Sequence, residues 1–161
     1  MEEIIKGLYL GSDDDVPKAK ARGYSRLAAC KDGPDGHRAM LGYDTMGAPK
    51  DKNYLFARRG TWLALNLIDH DDPTMIPYEV LDAGLNFIAE QMTAGNKVFV
   101  HCNAGVSRSP SLVMMYLRSI GELPESLREA FKIFKAIYPK ADPQPGMMYH
   151  LMTRWRTLKK G

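Results

Sequence analysis

The chain has only two cysteines in 161 residues, Cys30 and Cys102. That is too few for a disulfide framework and suits a reducing compartment in which a thiol stays free. No apolar run approaches the ~20 residues needed to cross a bilayer, and the opening Met1-Glu2-Glu3 lacks the basic and long apolar regions of a secretion signal. A cytoplasmic protein with no membrane contact is therefore expected. Histidine is sparse, and His37, His70 and His150 show no ligand spacing with cysteine or carboxylates, so neither metal nor cofactor is expected. The net charge of +3 is too small to argue a nucleic-acid partner. It is unevenly spread: residues 101–161 hold 10 basic against 4 acidic side chains, a field that would steer anions toward that part of the chain.

What is present describes one globular domain: 45% hydrophobic and 25% charged residues, with no repeat or linker. Ile4 to Leu10 reads as a short strand, followed by a helix start with Ser12 or Asp13 as cap, and Ser25 to Cys30 reads as the next strand. Residues 31–60 lose all periodicity. Five glycines and two prolines make them an atypical, structureless insertion. Its Lys50, Lys52, Arg58 and Arg59, with Tyr43, Tyr54 and Phe56, suit a substrate-recognition flap, and an inert surface loop is the alternative. Thr61 to Ile68 is continuously apolar, as in a buried parallel strand. Tyr78 to Thr93 has helical spacing and leads to a strand at Val98–Val100, so the two strands and the helix make a βαβ unit. Helices are expected from Arg108 to Gly121, from Leu123 to Tyr138, and, after the segment Asp142 to Gly146, through Met148, Leu151, Met152, Trp155 and Leu158. The fold class is α/β: a central, mostly parallel sheet with helices on both faces.

The centre of this plan is the strand that delivers Cys102 into a small-residue turn and a helix. Asn103, Ala104, Gly105, Val106 and Ser107 separate Cys102 from Arg108, and none is bulky, charged or Pro. Their N–H groups can curl around one point at a helix N-terminus, where an anion is favoured. Such surroundings favour a thiolate at Cys102. Arg108 offers a planar fork for two phosphate oxygens. Ser109, by its position, can donate to the Cys102 sulfur when it leaves. A buried structural cysteine is the plainer alternative.

His101 to Ser109 reads His-Cys-x-x-Gly-x-x-Arg-Ser, and this stretch resembles the signature of cysteine-dependent protein tyrosine phosphatases, above all the dual-specificity phosphatases. Gly7-Leu-Tyr-Leu-Gly-Ser12 is similar to the opening strand of that family. The resemblance implies hydrolysis of phosphomonoesters through a phosphocysteine, with Cys102 as nucleophile, residues 103 to 108 holding the phosphate and His101 in support. Asp69 lies at the carboxyl end of its strand, where parallel sheets gather their sites, and Ile-Asp-His resembles the general-acid segment. Asp71 and Asp72 remain alternatives, because loop register cannot be read from sequence. The segment around Gln144 is similar to the closing Pro-x-x-Gly segment, which implies that Gln144 approaches the loop. Cys30, at a strand end on the same sheet edge as Cys102, is a possible redox partner or simply a packed thiol.

With no Lys or Arg among residues 103 to 107, a phosphorylated protein is the favoured partner, with phosphotyrosine and phosphoserine or phosphothreonine both accepted. The alternatives are a nucleotide, an RNA 5′-end, an inositol or other small phosphate; a catalytically weak phosphate-binding module; and a rhodanese-like sulfur carrier.

Overall fold

A hairpin opens the chain where one strand is expected. β1 (Glu2–Ile5) and β2 (Leu8–Ser12) pair antiparallel, and Gly7, at φ 87°, makes the reversal between them. The computed structural model describes residues 1–159. Ser12 is the cap of the turn that follows β2: its hydroxyl accepts from Asp14 N–H while the Asp15 carboxylate accepts from Ser12 N–H. The chain continues through α1 (Val16–Ala21), β3 (Ser25–Ala28), α2 (His37–Leu41), β4 (Phe56–Arg59) and β5 (Trp62–Leu65). It ends with α3 (Tyr78–Thr93), β6 (Val98–Cys102), α4 (Arg108–Ser119), α5 (Leu127–Ile137) and α6 (Pro145–Leu158).

The six strands form one sheet in the order β1-β2-β6-β3-β5-β4. The inner four are parallel, and only the edge strands β1 and β4 run antiparallel. β6 is buried along its whole length, as its unbroken Val-Phe-Val-His-Cys composition requires of a central parallel strand. Burying Val98, Phe99 and Val100 contributes ~1.5–3 kcal/mol each. Side chains alternate across the sheet, so Val98, Val100 and Cys102 enter the main core, which α3, α4 and α6 cover. Phe99 joins Val16, Ala19 and Tyr24 in a smaller cluster beneath α1. The helices thus lie on both faces, with most of the core on one. No helix of the described residues is long and apolar enough to cross a membrane.

The segment 31–60 is not structureless. It contains α2, and β4 extends the sheet by pairing with β5. The register sets Arg59 opposite Trp62 and Phe56 opposite Leu65, so Arg58 and Arg59 lie at the end of β5 away from Asp69. Arg58 is also held by Glu90 of α3 and stacks on Phe87. These two arginines therefore lose the recognition role that their charge suggested.

Candidate active site

Parallel pairing brings four chain segments to one edge of the sheet. Ser12 of β2 lies opposite Cys102, and Ala28 of β3 lies opposite His101. The residues that follow β2, β3, β5 and β6 therefore share a single crevice. Cys102 ends β6 and is 2% exposed. Its Sγ accepts a hydrogen bond from Ser109 Oγ at 3.1 Å.

Residues 103–107 form the turn between β6 and α4. Gly105 has φ 72°, and a Cβ there would meet the Gly11 carbonyl oxygen at 2.7 Å, so both the conformation and the close approach require glycine. Tyr138 fixes the same residue by donating to the Gly105 carbonyl at 2.7 Å. Burial pushes its phenol up to about 12, which keeps it a donor. Asp142 N–H donates to the Val106 carbonyl at 2.8 Å, tying the closing segment to the turn. Among the described residues, no N–H from 104 to 107 donates to another protein group.

Arg108 opens α4 but turns back across the site. Its Nη1 donates to the Leu67 carbonyl at 3.0 Å and its Nη2 to Asn103 Oδ1 at 2.7 Å. Arg108 Nε is buried without a partner among the described residues. Asn103 is itself held, because its Nδ2 donates to Asp13 Oδ2 and to the Asp32 carbonyl, both at 2.9 Å.

Asp69 is exposed, and its Oδ1 accepts from Ser107 Oγ at 2.9 Å. Ser107 Oγ in turn accepts from Gln144 N–H at 2.8 Å. Gln144, the residue before α6, thus meets the loop through its backbone. Asp72 is engaged elsewhere: it accepts from the N–H and hydroxyl of Thr74, and those bonds hold its carboxyl below the usual range. Asp71 is exposed.

A polar network lies under His101. Burial disfavours its imidazolium, but the carboxylates of Asp13 and Asp35 outweigh that and hold the ring's pKa above the ordinary range. Asp35 is fully buried, which pushes its carboxyl up, yet His101 and Arg26 bring it down to about 2. Lys20 and the Trp62 indole also reach Asp35, through its side chain and its carbonyl respectively. Cys30 is a free thiol, as is Cys102. Burial first, and then Asp13, push the Cys30 thiol up, so alone it stays protonated.

The family model for the dual specificity phosphatase catalytic domain matches residues 48–156. The chain belongs to the dual-specificity phosphatase family. Mouse "Dual specificity protein phosphatase 12" is 34% identical over 150 residues, covering 92% of this chain and 39% of the relative. Human "Dual specificity protein phosphatase 15" is 35% identical over 161 residues, covering 99% of this chain and 48% of the relative. The chain thus spans less than half the length of these curated relatives. The crystal structure of human DUSP28 shares the fold with a TM-score of 0.67 and 21% identity, covering 97% of this chain and 93% of that one. The dual-specificity phosphatase match begins at residue 48, so the end of the segment read as an insertion belongs to the family domain.

Three residues at this dual-specificity phosphatase site escape a reading of the sequence. Asp13 reads there only as a candidate helix cap, Asp35 lies unremarked in the aperiodic 31–60 segment, and Tyr138 stands only as the end of a helix. Their contacts with Asn103, His101 and Gly105 cross 90, 66 and 33 positions, and no local pattern signals any of them.

Proposed function

We propose that this chain is a cysteine-dependent phosphatase that hydrolyses phosphomonoesters in two steps. The observation that carries the reading is a nucleophilic sulfur, facing a hydroxyl donor, at the mouth of a turn whose N–H groups and arginine Nε are free to bind an anion. The Cys102 thiolate attacks phosphorus and the bond to the leaving oxygen breaks. Arg108 and the amides of the turn hold the equatorial oxygens as charge spreads over them. Asp69 protonates the departing oxygen, then takes a proton from the water that cleaves the S–P bond. Ser109 Oγ stabilises the sulfur as it leaves.

Asp69 is favoured over its neighbours by two contacts. Ser107, inside the turn, donates to Asp69, whereas Asp72 is occupied by Thr74. Losing the Ser109 hydroxyl should slow breakdown of the phosphocysteine more than its formation. In Ser109→Ala, rapid-quench kinetics with an aryl phosphate should therefore show a burst of released alcohol followed by a steady rate at least about tenfold below wild type. A uniform slowing of both phases would remove Ser109 from the second step.

The substrate is proposed to be a phosphorylated protein, and the location cytoplasmic, where both thiols stay reduced. The five residues between Cys102 and Arg108 supply no cation for additional phosphates. Exposed Tyr78 and Tyr149 line one groove with Pro73 and Thr74, exposed Met75 lines another with Ile68, and both offer apolar contact to a peptide. A panel of phosphotyrosine and phosphothreonine peptides, inositol phosphates and 5′-phosphorylated RNA tests this, with kcat/KM expected to be highest on both peptide classes. Preference for a non-protein phosphate overturns the substrate assignment while keeping the chemistry. Binding of all of them without turnover would leave a phosphate-binding module.

A further inference from the structure

Three potential ligands meet beneath the phosphate turn. Asp13 follows β2, Cys30 follows β3 and His101 lies on β6, which runs between those two strands. A carboxylate oxygen, the Cys30 sulfur and a ring nitrogen of His101 all lie within 4.8 Å of one another. Cys30 and His101 are both 0% exposed. His101 Nδ1 is 3.3 Å from Asp13 Oδ1, yet neither atom has a hydrogen-bond partner among the described residues, and His101 Nε2 has none either. Buried polar atoms are almost always bonded, so an ion pair whose facing atoms form no hydrogen bond, set beside a third ligand, needs an explanation.

We propose that Asp13, Cys30 and His101 form a regulatory site for a thiophilic divalent cation, Zn²⁺ by its chemistry, coupled to the phosphate turn above. A thiolate, a carboxylate and a neutral imidazole carry two negative charges, which balance a dication in a dry place. Sulfur and imidazole together select zinc over the hard ions magnesium and calcium. Tetrahedral zinc with ligands at ~2.0–2.3 Å sets them roughly 3.3–3.8 Å apart, so a small inward movement of these side chains closes the shell. Water completes it on the side of Asp13, whose side chain is 20% exposed. On binding, the Cys30 S–H and His101 Nδ1–H bonds break and both protons go to solvent as the Zn–S and Zn–N bonds form; the charge of the ion makes those steps favourable. His101 ligates through unprotonated Nδ1 and keeps its Nε2 proton toward Asp35 Oδ2, 3.8 Å away.

The coupling runs through Asp13. Its other oxygen accepts from Asn103, whose Oδ1 accepts from Arg108, and His101 immediately precedes Cys102. Drawing Asp13 and His101 onto a metal pulls on the residues that orient the arginine and the nucleophile, so zinc lowers turnover. The regulatory consequence rests on the phosphatase reading. Metal binding does not, and it is read without turnover.

The test is a titration of chelator-treated protein with Co²⁺, followed by displacement with Zn²⁺. Wild type and Cys102→Ser should each bind one Co²⁺ with a thiolate-to-cobalt charge-transfer band that Zn²⁺ abolishes. Cys30→Ser should lose that band, Asp13→Asn should bind at least about tenfold more weakly, and Zn²⁺ should inhibit wild type at lower concentration than Asp13→Asn. No band in wild type overturns the site. A band lost in Cys102→Ser but kept in Cys30→Ser overturns it too, because the catalytic thiol would then be the ligand. If Cys30→Ser does not fold, Asp13→Asn decides, and unchanged affinity there overturns the proposal.

Discussion

Replacing Cys102 by Ser is expected to lower kcat by at least about 10⁴-fold while phosphate still binds. The size follows from the chemistry. A serine hydroxyl at this position has no neighbouring base to remove its proton, and the nearest group, Ser109 Oγ, is itself a donor toward the sulfur. A 10⁴-fold loss corresponds to about 5.5 kcal/mol of transition-state stabilisation, beyond what one hydrogen bond supplies. Binding should persist because its determinants lie elsewhere: the free N–H groups of residues 104–107, the N-terminus of α4, and the Arg108 guanidinium held by Leu67 and Asn103. Two measurements check this, steady-state turnover of an aryl phosphate and calorimetric titration with inorganic phosphate. Substantial turnover by the variant would refute covalent catalysis at Cys102. Lost binding with a folded protein would mean that the thiol, rather than the amide cradle, holds the anion.

How much of this site can be read from the sequence depends on how local each signal is. β6, the turn and α4 are contiguous, and their periodicity changes from unbroken burial to helical spacing at Arg108, so the nucleophile, the cradle and the arginine stand out together. α3 runs from Tyr78 to Thr93 as its spacing predicts, because Val80, Leu81, Phe87 and Ile88 bury one stripe. The hairpin escapes because β1 and β2 join through only Lys6-Gly7, and two short strands in succession look like one interrupted strand. β4 buries only Ala57, so its Phe-Ala-Arg-Arg sequence carries no alternation. α2 spans five residues, and the residue before it, Gly36, has no side chain to cap it. The network around His101 is hidden for a different reason. Asp13, Cys30, Asp35 and His101 meet only because β2, β6 and β3 are neighbours, and strand order is a property of the whole sheet.

Asp69→Asn is expected to reduce kcat by roughly 10²–10⁴-fold for substrates with poor leaving groups, and by little for those with good ones. An alkoxide needs a proton as its bond to phosphorus breaks, whereas a nitrophenolate departs without one. The amide keeps the size of the carboxyl and can still accept from Ser107 Oγ, so the loop should hold its place and the loss should report proton transfer alone. Asp72→Asn is the necessary comparison. Asp72 accepts from both Thr74 N–H and Thr74 Oγ1, and those bonds hold its carboxyl below the ordinary range, which makes it a poorer proton donor. Its substitution keeps an oxygen that accepts from Thr74 at the turn Pro73–Met75 and should leave the dependence on leaving group as in wild type. Plotting log kcat/KM against leaving-group acidity for a series of aryl phosphates separates the two cases. A steeper slope in Asp69→Asn alone supports Asp69 as the acid. The steeper slope appearing in Asp72→Asn instead would move the role three residues along the loop and require Asp72 to leave Thr74 before each turnover.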